Sequence, residues 1–99
     1  MTAKQSAAPT VLIVEDDKSL VRLLRYNLGR EGYRCVSAAD GEAGLALLRR
    51  EKPALTVLAL MLPTLDGFEF CRQARRESAA PILILTARRD EVDKVLGLE

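Results

Sequence analysis

Three carboxylates stand in a row at Glu15-Asp16-Asp17, directly after an unbroken apolar run, Val11-Leu-Ile-Val14. Adjacent acids can hold a hard divalent cation, which takes oxygen ligands. They can also cap a helix and sit solvated, since a negative side chain favours the positive end of a helix. Position tilts the choice toward a cation, because open α/β sheets place their chemistry just beyond the carboxyl ends of central strands. A second stretch, Leu55 to Gly67, reads Leu-Thr-Val-Leu-Ala-Leu-Met-Leu-Pro-Thr-Leu-Asp-Gly. Its first half has the length and turn boundaries of a strand buried on both faces, with Pro53 before it and Pro63 after it. Its carboxyl end, Ala59-Leu60-Met61, carries no polar side chain. The acids after the first strand therefore face a neighbour that offers only a methyl group.

Other chemistries lack their residues. There is no histidine, so no Ser-His or Cys-His pair exists. Cys35 and Cys71 lie far apart without metal spacing, and read as buried or half-buried thiols in a reducing cytosol. A dinucleotide binder would carry a glycine-rich turn after the first strand, where Glu15-Asp16-Asp17 would instead repel a phosphate. A metal-dependent phosphohydrolase would use a nucleophile there and a second acid two residues on. Asp16 could be forced into that role, but no matching lysine context follows. The chain is not expected to be an enzyme.

Ninety-nine residues, 48% of them apolar, suffice for one domain with a real core. Lys and Arg number 15 against 14 Asp and Glu, for a net charge of +1, which gives no basis for a nucleic-acid surface. No apolar run approaches the ~20 residues of a membrane span, and the N-terminus lacks the blocks of a signal peptide. The expected location is the cytoplasm.

The elements that must position the acids follow from periodicity. Residues 1–9 are small and polar and are expected to form a disordered tail, with one domain over 10–99. Thr10 to Val14 is a strand. From Lys18 the period becomes helical, with Leu20, Leu23, Leu24 and Leu28 on one stripe, a cap at Asp16 or Asp17, and a stop at Gly32. Tyr33 to Ser37 is a partly polar strand suited to a sheet edge. Asp40-Gly41 starts a second helix with Ala43, Ala46, Leu47 and Leu48 inward, and Lys52-Pro53 ends it. After the third strand, Asp66 to Glu77 is a helix with Phe68, Cys71 and Ala74 on one side. Pro81 to Leu85 is a fourth strand, closed by Thr86 and Ala87, and Asp90 to Leu98 a fourth helix. Arg72, Arg75, Arg76, Arg88 and Arg89 read as solvated faces. Strand and helix alternating four times imply an α/β fold, a doubly wound parallel sheet with right-handed crossovers.

Val11-Leu-Ile-Val-Glu-Asp-Asp17, Leu58-Ala-Leu-Met-Leu-Pro63, Asp66-Gly67, Pro81-Ile-Leu-Ile-Leu-Thr-Ala87 and Asp90-Glu-Val-Asp-Lys-Val-Leu-Gly-Leu-Glu99 together resemble the receiver domain of bacterial two-component response regulators. The resemblance runs from Thr10 to Glu99 and is nearest to regulators with a C-terminal winged-helix DNA-binding domain. It implies a flavodoxin-like, CheY-like fold with strand order 2-1-3-4-5, here 2-1-3-4, because the family's fifth strand, its lysine and its last helix have no counterpart by Glu99. On this reading the chain is a truncated receiver.

The resemblance also implies a phosphorelay. A sensor histidine kinase would be the partner of the parent protein, and Mg²⁺ the cofactor. Asp16 would ligate the ion directly, Glu15 through water, and Met61 through its backbone carbonyl, while Thr86 would contact the phosphoryl oxygens. The family's phospho-acceptor aspartate falls on Ala59. Without it there is no nucleophile and one ligand fewer, so phosphorylation is expected to be absent and metal binding weakened. Such a change points to engineering, and a natural pseudo-receiver acting as a phosphate-independent docking module is the alternative. Without a fifth strand, self-association through the open edge of the fourth strand and the fourth helix is expected.

Overall fold

The computed structural model describes residues 8–59, 62 and 65–85. In chain order these form β1 (Thr10–Val14), α1 (Lys18–Arg30), β2 (Arg34–Ala38), α2 (Gly41–Glu51), β3 (Leu55–Ala59), α3 (Gly67–Arg75) and β4 (Ile82–Leu85). All strand pairs are parallel and the order is β2-β1-β3-β4, as the resemblance implies. Val14 pairs with Ala38 on one side and Leu58 on the other, and Ala59 pairs with Leu85. Met61, Thr86 and the helix expected over 90–98 lie outside the described residues. So does the expected tail as far as residue 7, while the Pro9 carbonyl accepts a hydrogen bond from the Arg34 N–H at 2.8 Å.

The runs of β1 and β3 are apolar, but for Thr56 in β3, because both faces of these central strands are covered. Leu12, Val14 and Leu58 pack with Leu45, Leu48, Phe70 and Ala74 on one face. Val11, Ile13 and Val57 form the other core, against Val21, Leu24 and Leu28 of α1. The partly polar β2 lies at the edge, as its composition predicts.

Helix boundaries follow their signals. Asp17, Asp40 and Asp66 cap α1, α2 and α3, each accepting backbone N–H bonds. Gly32, at φ +93°, ends α1: its N–H donates to the Gly29 carbonyl and that of Tyr33 to the Leu28 carbonyl, the paired bonds that close a helix on a left-handed residue. Lys52, at φ +47°, ends α2 before Pro53.

The inward faces match the expected ones in part: Leu24 and Leu28 of α1, Leu47 and Leu48 of α2, and Cys71 and Ala74 of α3 pack against the cores, and the remaining expected residues differ. On α3 the buried residues are Gly67, Phe70 and Ala74, while Phe68 is 64% exposed. On α2 they are Gly41, Gly44, Leu45 and Leu48, with Ala43 and Ala46 outside. On α1 Leu23 is 56% exposed, and Val21 takes its place against the sheet. The reason is close approach. A β-carbon on Gly44 would lie 2.9 Å from Val14 Cγ2 and 3.0 Å from Phe70 Cε2, so α2 sits on the sheet through Gly44 and turns its alanines away.

Candidate acidic site

Glu15 is the first residue beyond β1, and its N–H donates to the Ala38 carbonyl at 3.0 Å, tying the acidic turn to the end of β2. Its Oε2 accepts the Asp17 N–H at 2.8 Å. Asp17 turns its own carboxylate the other way: Oδ1 accepts from the N–H groups of Ser19 at 2.9 Å and Leu20 at 3.3 Å. Asp17 is thus the helix cap. Glu15 and Asp16 stand side by side, and Asp16 is exposed.

Partial burial raises the Glu15 carboxyl above its ordinary value, opposed by the Asp17 N–H and reinforced by the neighbouring Asp16 and Asp17 carboxylates. Two crowded carboxylates, one partly desolvated, are the donor chemistry a hard divalent cation relieves. Among the described residues no three His, Cys, Asp or Glu side chains converge as a ligand set. The pair fits a magnesium ion that keeps several waters, and is not a closed cage.

Ala59 is the next residue along β3 after Leu58, just as Glu15 follows Val14, and Val14 and Leu58 are register partners. The methyl of Ala59, 8% exposed, thus ends the strand beside the acidic turn and adds no oxygen to it. Thr86 would follow Leu85, the partner of Ala59; it and Met61, the two remaining expected contacts, lie outside the described residues.

Other singled-out residues are structural. Arg72 pairs with Glu69, and Arg75 Nη1 donates to the carbonyls of Ser78 at 3.0 Å and Ala80 at 2.8 Å, fastening the turn into β4. Arg88 and Arg89 lie outside the described residues. Cys35 and Cys71 are half-buried against opposite cores, and burial pushes both thiols up. Sequence reasoning missed the close approach of Gly41, at the start of α2, to Leu65; its signal was a glycine directly after a cap, read only as a helix start.

Residues 11–99 match the model of the response regulator receiver domain family. The chain is 50% identical over 91 residues to the transcriptional regulatory protein AfsQ1 of Streptomyces coelicolor, covering 92% of this chain and 40% of that protein. It is 53% identical over 90 residues to the alkaline phosphatase synthesis transcriptional regulatory protein PhoP of Bacillus subtilis, covering 90% and 38%. The chain thus spans about two fifths of the length of these curated relatives. Among solved structures it resembles the receiver domain of the sensor histidine kinase PA1611 of Pseudomonas aeruginosa, described with a magnesium ion coordinated in its active-site cleft. The TM-score is 0.77 at 28% identity, covering 90% of this chain and 76% of that one. Matched in sequence along nearly its whole length and in strand order across its sheet, the chain belongs to the response regulator receiver domain family.

Proposed function

We propose that the chain is the receiver module of a transcription-controlling two-component response regulator, in a form that accepts no phosphoryl group because position 59 is alanine. The observation that carries this reading is the Val14–Leu58 register, which sets Ala59 beside Glu15 at one end of the sheet. An aspartyl phosphate requires a carboxylate nucleophile, and a methyl group has no electron pair to give.

Receiver domains generally bind Mg²⁺ at their phosphorylation site, where the ion neutralises charge on the phosphoryl oxygens. In this chain Glu15 and Asp16 would hold it with the Met61 carbonyl, more weakly for the carboxylate that Ala59 lacks, and the Thr86 hydroxyl would contact a phosphoryl group. Regulators of transcription among the relatives support a sensor histidine kinase as partner of the parent protein, a cytoplasmic location, and DNA binding outside this chain. Among the described residues no helix is long and apolar enough to cross a membrane.

The test is Ala59→Asp in a chain extended through a receiver fifth strand and its lysine, given Mg²⁺ and a small phosphodonor. A phosphoryl mass increase in the variant and none in the parent is the expected result. No increase in either favours a phosphate-independent docking module.

Self-association is a second part of the proposal. Among the described residues β4 is an edge strand, its four residues Ile82–Leu85 are all apolar, and Leu83 is 38% exposed. Such an edge pairs readily with another chain. Light scattering should give a mass above that of the monomer, and a monomeric mass at micromolar concentrations overturns it.

A further inference from the structure

Where α2 and α3 end, a pocket of about 450 Å³ opens, lined by Leu48, Arg49, Lys52, Pro53, Glu77 and Ser78. That volume falls in the usual range of small-molecule sites, ~300–1,000 Å³. Pro53 stands before β3 and Ser78 before β4, so in this parallel sheet the pocket lies at the opposite end from the acidic turn, which follows β1. Leu48 and Pro53 are buried and give the pocket an apolar wall. The rest is polar. Arg49 Nε donates to Glu77 Oε1 at 2.7 Å, tying the last turn of α2 to the turn after α3, and this bond holds the Glu77 carboxyl below its ordinary value. Both Arg49 Nη groups are left without a partner among the described residues. Lys52 forms no ion pair among them. Ser78 Oγ accepts the Ala80 N–H at 3.1 Å, and its own proton remains to be donated.

We propose that this pocket binds a small phosphomonoester carried on a flat apolar body, the chemistry of a mononucleotide. Arg49, Lys52 and Ser78 donate to the phosphate, and Leu48 and Pro53 lie against the ring. Three spare donor groups suit an anion with three oxygens, and bonds from cationic donors to phosphate are the strong ones. The one acid in the lining, Glu77, is already matched by Arg49, which leaves Lys52 as the excess charge. Helix carboxyl ends carry partial negative charge, which basic residues in the last turns offset here: Arg49 and Arg50 on α2, Arg72 and Arg75 on α3. The proposal uses no residue of the acidic turn and does not depend on a cation there.

The test is a titration of the isotope-labelled chain with adenosine monophosphate in metal-free buffer, read from amide resonances. Saturating shifts centred on residues 48–52 and 77–78 are expected, with a dissociation constant of about 1 mM or tighter. Adenosine and inorganic phosphate, each half of the ligand, should bind more weakly. Lys52 holds a left-handed φ of +47°, which glycine adopts without strain, so Lys52→Gly removes the ammonium and keeps the fold. It should leave the urea midpoint no lower and weaken adenosine monophosphate by about tenfold, the worth of one hydrogen bond to a charged group. Arg22→Gln removes an exposed charge from α1, on the other face of the sheet, and should change nothing. No saturation, shifts centred elsewhere, or full affinity in Lys52→Gly overturns the proposal. So does an equal loss in Arg22→Gln, which would mean diffuse charge attraction, or equal affinity for inorganic phosphate, which would mean a site for simple anions only.

Discussion

Glu15 accepts the backbone N–H of Asp17 at 2.8 Å, while the Asp17 carboxylate turns away to accept the N–H groups of Ser19 and Leu20. Two residues apart, the acids serve different ends: one leans on the backbone of the turn, the other closes a helix. Asp17→Ala should therefore cost about 1 kcal/mol of stability, the usual worth of a cap, and leave Mg²⁺ binding in place. Asp16→Ala should do the reverse, with little effect on a metal-free urea melt and loss of any Mg²⁺-induced shift in it. Equal effects of the two substitutions would contradict the division.

That division was half legible in the sequence. A run of three acids after an apolar strand announces both a cap and a cation site, but which acid does which depends on backbone direction after Val14, and spacing does not encode it. The same holds for the helices. The strands follow from apolar runs and two of the caps from aspartates before glycines, at Asp40 and Asp66, while the strand order was implied only by the family resemblance. The inward face of α3 follows from none of these, because Phe68 and Phe70 are equally apolar and only the approach of Gly44 to Phe70 decides between them. Phe70→Ala should cost about 3–5 kcal/mol, and Phe68→Ala under about 0.5 kcal/mol. Urea midpoints compare the two directly.

The Thr56 hydroxyl is buried with no hydrogen-bond partner among the described residues, in an otherwise apolar strand where Thr56 stands in register between Leu12 and Ile82. A buried polar group left unpaired costs about 1–3 kcal/mol. Thr56→Val keeps the shape and removes that cost, so it should raise the urea midpoint. A lower midpoint would show that the hydroxyl is paired in solution.

Ion pairs tie the edge of the sheet to α2. Glu51 accepts from Arg34 Nη2 at 2.5 Å and from Arg50 Nε at 3.1 Å, and these guanidinium groups hold its carboxyl below the ordinary 4.5. A carboxyl depressed in the folded state contributes stability above its unfolded value, and that contribution is lost as pH falls through the folded value. The parent should therefore be more stable than Glu51→Gln near neutral pH, and the difference should vanish in acid, below 4.5. The pair is exposed, so salt should shrink the gap as well. A gap that is constant with pH would assign the effect to packing rather than charge.

The methyl of Ala59 has its own thermodynamic consequence. Position 59 ends β3 beside Glu15, whose carboxyl is already raised by burial and by the acids next to it. A third carboxylate brought to that point would be repelled by both neighbours unless a cation stood between them. Ala59→Asp should therefore lower stability by roughly 1–2 kcal/mol without divalent metal, a fraction of the ~4 kcal/mol for unit charges 4 Å apart near a protein surface. Mg²⁺ should return part of that loss, because a ligand that binds only the folded state stabilises it by mass action. The parent, with two acids, should respond less to the ion. Urea melts of both chains, with and without Mg²⁺, measure all four states. Identical midpoints would mean that position 59 does not share the acidic site, and the functional reading built on the Val14–Leu58 register would fall with it.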